Sequence, residues 1–399
     1  MTDAARAADR VARDSYGRLL AFLAARTGDI GLAEDALADA FAKALETWPR
    51  DGVPANPDGW LMTVARNRMT DRQRHVARFH SNDEVPDMAA PEDMQTLPDK
   101  RLALLMVCAH PAIARDLHTP LMLQTVLGIE ARDIARLFMV SPVALTKRLV
   151  RAKAKVRDAG IPFAVPDADG LPDRAEAIFE AVYAAHTVDW VAPSDSVGEE
   201  ALYLADLLVR LLPDMPEALG LAALIAFGHA RRHARVRGGV LVPTDAQDVT
   251  LWDCDVRAYA GRMLARAFAL GAPGRFQIEA AIQQVHMARA ETGETDWAAL
   301  NQLYHALLQS APSVGAAVAQ TVVTGKLHGP SAGLEALDGI SAELGADVQS
   351  IWAARAEFLA QLRAWDDAAH AYGRAIDLAT DVPLIRFLEA RKAEVLDRI

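Results

Sequence analysis

The stretch that most constrains this chain is Ser141 to Arg157, SPVALTKRLVRAKAKVR. Ser141 suits an N-cap, because its hydroxyl can accept a free backbone N–H of the first turn. Pro142 then takes the first helical position, where its missing N–H costs nothing. At about 100° per residue, Leu145, Leu149, Ala152 and Val156 share one face. Lys147, Arg148, Arg151 and Lys155 fall on the other. Between Leu145 and Arg157 stand six Lys or Arg and no acid. Upstream, IEARDIARLFMV reads as a shorter helix with Ile134, Leu137 and Phe138 turned inward. A short helix, a tight turn at Met139 to Ser141 and a longer basic helix make the helix-turn-helix pattern, whose second helix can enter a major groove. A solvated basic helix gives the same pattern, and this stretch alone does not choose.

The rest of the chain narrows the choice. Its 399 residues are 52% hydrophobic and 6% aromatic, a composition that suits an all-α fold of several domains. No apolar run approaches the ~18–20 residues that a membrane span needs. MTDAARAADRVARD lacks the apolar core of a secretory signal. Cys108 and Cys254 have no CxxC partner, which points to a reduced cytoplasm and away from a disulfide framework or cysteine-rich zinc site. The net charge of −11 is not spread evenly. Residues 1–170 are neutral, with 23 side chains of each sign, so the whole acidic excess lies in residues 171–399. Local patches decide nucleic-acid contact, not the total.

Residues 15–48 hold two helical patterns. In the second, Leu37, Phe41, Ala44, Leu45 and Trp48 follow a buried face, while Asp35, Asp39 and Glu46 lie away from it. Asp29 reads as its N-cap, and WPRDGVPANP ends it. WLMTVARNRMTDRQRHVARFH then forms a second basic helix. Its apolar side is Trp60, Leu61, Val64 and Ala65. Arg66, Arg68, Arg72, Arg74 and Arg78 supply charge, and Asn67, Thr70 and Gln73 supply donors and acceptors. That mixture suits phosphate contacts together with unstacked bases. Residues 81–98 carry five acids, no base and three prolines, the composition of a flexible linker. Residues 99–128 read as helices ending at a Gly128 C-cap. From about 166 the chain becomes successive helices joined by Pro/Gly turns. Ala368, Tyr372 and Ala375 have the small–aromatic–small spacing of a tetratricopeptide second helix.

These modules resemble a known family. The first 165 residues are similar to bacterial extracytoplasmic-function sigma factors of the sigma-70 class. AEDALADAFAKALETWP resembles the helix that binds core RNA polymerase. NPDGWLMTVARNRMTDRQRH resembles the promoter-melting helix, P-x-x-WL-x-x-(I/V)ARN-x-x-x-D-x-x-R. IARLFMVSPVALTKRLVRAKAKVR resembles the −35-reading helix-turn-helix. CAHPAI, RDAGIPF, LPDMPEALGL, LWD, GPSAGL and AAHAYGRAIDLA resemble the subgroup with a C-terminal tetratricopeptide-like extension. Two segments depart from it: HTVDW at 186–190, where an Asn-Glu-Gly-Tyr-like segment is usual, and MVSP in the −35 turn, where Pro-Glu is usual.

The resemblance implies four segments: region 2 at 1–80, an acidic linker at 81–98, region 4 at 99–165 and a helical extension at 166–399. It implies a non-enzymatic cytoplasmic factor that binds the β′ coiled coil of core polymerase and directs promoter-specific initiation. No cofactor or metal is expected. Asp35, Asp39 and Phe41 map to the polymerase helix. Arg66, Asn67, Asp71 and Arg74 map to −10 recognition. Thr146, Lys147, Arg148 and Arg151 map to −35 reading, and Lys153, Lys155 and Arg157 to phosphate. The acidic extension would regulate the factor by covering a basic helix or by taking a protein or peptide signal. The rivals are an operator-binding regulator and a helical-repeat adaptor. GPSAG at 329–333 fits a nucleophile elbow, but that needs a strand before Ser331. His229 and His233 have zinc spacing, but no third ligand is evident.

Overall fold

The computed structural model describes residues 3–77, 99–138, 140–166, 171–191, 195–344 and 348–399. The expected 81–98 linker and Met139 lie outside these. The described residues are helical apart from one short hairpin, the all-α class the composition implied. They divide into two compact units, residues 1–189 and 190–399.

The first unit holds α1 (Asp3–Thr27), α2 (Ile30–Asp51), α3 (Pro57–Ala77), α4 (Arg101–Cys108), α5 (His118–Leu127), α6 (Ala131–Leu137), α7 (Pro142–Asp158) and α8 (Leu171–Val191). The caps fall where the sequence put them. Asp29 accepts the Leu32 N–H at 3.0 Å, Gly128 takes left-handed φ 69°, and Ser141 accepts from Ala144. Ser15 of α1 donates to Asp58 at the start of α3, and Trp48 meets Trp60 edge-on at 5.6 Å. α1 packs on α2, α4 and α5, and α3 and α7 both pack on α2. Gly17 allows the α1–α5 approach: a Cβ there would sit 2.1 Å from the Val126 carbonyl oxygen. Cys108 is a core residue beside Thr125, its thiol pushed up to about 12 by burial. Arg174 of α8 donates to the Met106 carbonyl at 2.6 Å.

The second unit runs from α9 (Asp195–Leu211) and α10 (Pro216–Ala230) through a hairpin of β1 (Val236–Arg237) and β2 (Val240–Leu241). It continues as α11 (Cys254–Ala269), α12 (Arg275–Met287), α13 (Arg289–Thr292), α14 (Trp297–Ser310) and α15 (Val314–His328). It ends in α16 (Pro330–Leu344), α17 (Gln349–Gln361), α18 (Trp365–Asp377) and α19 (Val382–Leu396). α10 is apolar almost all round, and α9, α11 and α12 enclose it. Its Glu217 carboxylate accepts the Phe276 and Gln277 N–H groups that α12 leaves open. α14 packs on α12, and from α14 onward each helix packs on the next. Ala368, Tyr372 and Ala375 are buried, and the Tyr372 hydroxyl donates to Glu357 at 2.9 Å. The hairpin pairs Val236 with Leu241; runs of two residues are too short for alternation to announce. Ser331 lies inside α16 with helix before it, so the elbow geometry is not formed.

Candidate nucleic-acid interface

Three helices of the first unit carry the residues singled out in the sequence. On α2 the buried face is Ile30, Ala33, Ala36, Leu37, Ala40, Ala44 and Trp48. Asp35, Asp39 and Glu46 are exposed, as the wheel requires. Two assignments to the buried face are corrected. Leu45 is 51% exposed, and Phe41 is only half-buried. The small residues Ala33, Ala36 and Ala40 draw the packing centre to their side, which leaves Leu45 about 100° from it. α2 thus offers an acidic stripe with an apolar border.

On α3, Leu61, Met62, Ala65 and Met69 face the core. Asn67, Arg68 and Asp71 are exposed, and Arg66 is half-buried. The Arg74 side chain lies outside the described residues, as do those of Arg72 and Gln73.

α7 shows how much a charge count conceals. Leu145, Leu149, Ala152 and Val156 are buried as expected, but the six cations divide three ways. Lys153 is buried, 7% exposed, and its Nζ lies 2.5 Å from Glu34 of α2. Arg157 reaches Asp29 at 3.6 Å and Asp158 at 2.8 Å. Lys153 is therefore not a phosphate contact in this arrangement. It sits about 80° from Leu145, at the border of the apolar face, where α2 takes it in. Burial raises the Glu34 carboxyl above its ordinary value, although Lys153 pulls the other way.

Arg148 and Lys155 brace a second element. Arg148 pairs with Asp116, and Lys155 donates to the Ala112 carbonyl at 2.6 Å. Lys147 and Arg151 remain exposed on the outer side with Thr146. The Arg151 Nε donates to the Lys147 carbonyl at 3.2 Å, and the Thr146 hydroxyl donates to the Pro142 carbonyl at 2.8 Å. The outer half of α7 can therefore meet a polyanion without breaking an ion pair. The α2–α7 seam was the feature missed from sequence. Its one signal was a lysine at the edge of an apolar stripe.

In the second unit, Arg232 lies between His229 and His233, at 3.3 and 3.2 Å from their ring nitrogens. No described helix is long and apolar enough to cross a membrane.

Comparison with known proteins places these helices. Sigma-70 region 2 matches residues 11–79, which include α2 and α3. A family of unknown function, DUF6596, matches residues 174–268. An uncharacterized protein of Rhizobium meliloti (strain 1021) is 35% identical over 371 residues, covering 88% of this chain and 87% of that protein. RNA polymerase sigma factor CarQ of Myxococcus xanthus is 30% identical over 146 residues, 35% of this chain and 82% of CarQ. The probable RNA polymerase sigma factor RfaY of Xanthomonas campestris pv. campestris is 27% identical over 164 residues, 37% of this chain and 40% of RfaY. No solved structure matches. With region 2 lying on the acid-striped and arginine-rich helices, and a relative aligned along most of its length, the chain belongs to the sigma-70 family of RNA polymerase sigma factors and carries a C-terminal extension.

Proposed function

We propose that the chain binds core RNA polymerase through α2 and directs promoter-specific initiation in the cytoplasm, catalysing no reaction of its own. Asp35 and Asp39 form the polymerase contact with the β′ coiled coil, with exposed Leu45 towards their side and half-buried Phe41 further round the helix. Arg66, Asn67, Asp71 and Arg74 of α3 hold unstacked −10 bases and their phosphates. Thr146, Lys147, Arg148 and Arg151 read the −35 duplex, and Lys155 contacts phosphate. The modules proposed are region 2 at 1–80, an acidic tether at 81–98, region 4 at 99–165 and a helical extension from 166. The observation that carries this reading is the exposed acid stripe of Asp35, Asp39 and Glu46, on a helix whose opposite face is fully packed.

The test is run-off transcription by core polymerase on a promoter pool, with and without the full chain. We expect discrete start sites only with the chain, lost when Asp35 and Asp39 are both changed to Ala. Tight binding to duplex DNA by the chain alone, with none to core polymerase, would favour an operator binder instead.

The C-terminal unit regulates this activity, taking a protein or peptide signal. The concentration of the whole −11 in residues 171–399 supports that reading. A truncation should end at residue 189, because α8 belongs to the first compact unit and Arg174 ties it to α4. Unchanged transcription after that truncation would dispose of the regulatory role.

A further inference from the structure

The outer face of α7 carries something a solvated basic helix does not need. Val143 is 65% exposed and Val150 is 59% exposed. At about 100° per residue they stand about 160° and 140° from Leu145, nearly opposite the buried stripe. Lys147 and Ala154 lie between and beside them. Valine is a poorer helix former than alanine or lysine, because its branched carbon loses rotamer freedom. Two exposed valines therefore weaken the helix and bury nothing in return. Thr146 borders the same strip. Its hydroxyl is given to the Pro142 carbonyl, so it can offer a methyl group and an acceptor but no free hydrogen.

The surroundings say what would cover such a strip. Lys147 and Arg151 flank it, and both are exposed, so the partner is anionic. An anionic partner with isolated apolar points fits a duplex major groove. There the thymine C5 methyl is the apolar group presented on a base edge. Residues seven apart on one helix face are separated by about 10.5 Å along the axis. Along the inclined major groove, about six residues of a recognition helix cover two base-pair steps, so seven span two to three.

We propose that Val143 and Val150 read thymine methyl groups in the −35 duplex, at positions about two to three base pairs apart. This rests on the reading above that α7 enters the major groove, and it adds the base identity and the atoms that recognise it. Lys147 and Arg151 supply charge and hydrogen bonds to base edges, and the valine strip supplies selectivity for A·T pairs. An apolar patch sorts methyl from no methyl without forming a hydrogen bond, so its contribution is insensitive to salt while that of the cations is not.

The experiment uses the full chain with core polymerase on the promoter selected from the pool. Each −35 thymine is replaced singly by uracil, which removes the C5 methyl and leaves the pairing edge intact. Wild-type binding should fall about fourfold at two positions, the effect of losing one buried methyl-sized group. Val143→Ala and Val150→Ala should each fall by a similar factor on the thymine promoter. Each should then become indifferent to uracil at its own position and remain sensitive at the other. Both substitutions lie on an exposed face and favour the helix, so folding is not at stake; circular dichroism checks this.

Three outcomes would overturn the proposal. One is uracil tolerated at every −35 thymine. Another is valine variants that lose equally on thymine and uracil promoters. The third is valine variants that lose core polymerase without DNA, which would make the strip a protein contact. Absence of any promoter-directed transcription by the wild type would instead sink the broader reading, and this one with it.

Discussion

Both halves of α7 are basic, yet their cations meet opposite fates. Towards its start, Lys147 and Arg151 stand exposed beside Val143 and Val150. Towards its end, Lys153 is enclosed against Glu34, and Arg157 reaches Asp29, both at the start of α2. One helix therefore presents one end outward and uses the other as a joint with α2. The difference comes from angle and neighbour, not from charge. Lysine's long aliphatic stem lets it lie at the border of an apolar stripe. Whether its ammonium ends in water or on a carboxylate depends on what packs over it.

The largest expected effect breaks the joint. Lys153→Met leaves the Glu34 carboxylate enclosed without its cation, and removing one partner of a buried pair costs about 3–5 kcal/mol. Hydrogen exchange of the α2 and α7 amides should quicken accordingly. Lys147→Met should move stability by no more than about 0.5 kcal/mol. Adding Glu34→Leu to Lys153→Met should restore most of the loss, because two apolar groups can replace a buried pair. A loss under about 1 kcal/mol for Lys153→Met would mean that the joint does not hold α7 to α2.

Acidity sharpens the same comparison. The Glu34 carboxyl is held above its ordinary value of 4.5 by burial, against the pull of Lys153. A carboxyl raised in the folded state stabilises when protonated, fully below the unfolded value. That stability is lost as pH rises through the folded value. Lys153→Met removes the downward pull and so raises the carboxyl further. The gap between wild type and variant should therefore close towards pH 4 and widen as pH rises. Parallel stability curves would contradict this assignment of the charges.

A smaller effect probes the outward end. Arg151→Ala should weaken promoter binding by a factor of about 5–150, the range of one good base contact, without loss of stability. Lys147→Ala should weaken binding as well, unevenly across sequences, because a base-edge contact is lost. If both variants bind promoters normally, the exposed end of α7 is not the reading surface.

The separation of these two ends was only half legible in the sequence. Periodicity gave the buried stripe of α7, and the cap at Ser141 follows from its hydroxyl and the proline after it. It also gave Tyr372 and its small neighbours, because a large ring flanked by alanines has little choice but to pack. Leu45 shows that hydrophobicity is not burial, because the alanines on the far side of the wheel shift the packed face. Lys153 was hidden for the complementary reason. Its partner stands 119 positions away, and no local pattern carries information about such a pair. The exposure of Asp35, Asp39, Lys147 and Arg151 was legible, because it is a local property of a wheel. Ion pairs between helices far apart in the chain are not, since they are made by tertiary packing.

The smallest expected effect concerns Arg148, which belongs to neither end. It pairs with Asp116, and both side chains are substantially exposed, 39% and 63%. Such a pair contributes about 0–1 kcal/mol, so a nearby phosphate or guanine can compete for the guanidinium. Asp116→Asn removes the competitor. Stability should stay within about 0.5 kcal/mol, while promoter affinity should rise by no more than about fivefold, the equivalent of 1 kcal/mol. The gain has two possible origins: release of Arg148, or loss of a negative charge near the backbone. Arg148→Ala separates them. If release is the cause, the gain from Asp116→Asn vanishes in the Arg148→Ala background. If the gain survives there, Arg148 only braces Asp116, and the reading surface of α7 contracts to Val143, Thr146, Lys147, Val150 and Arg151.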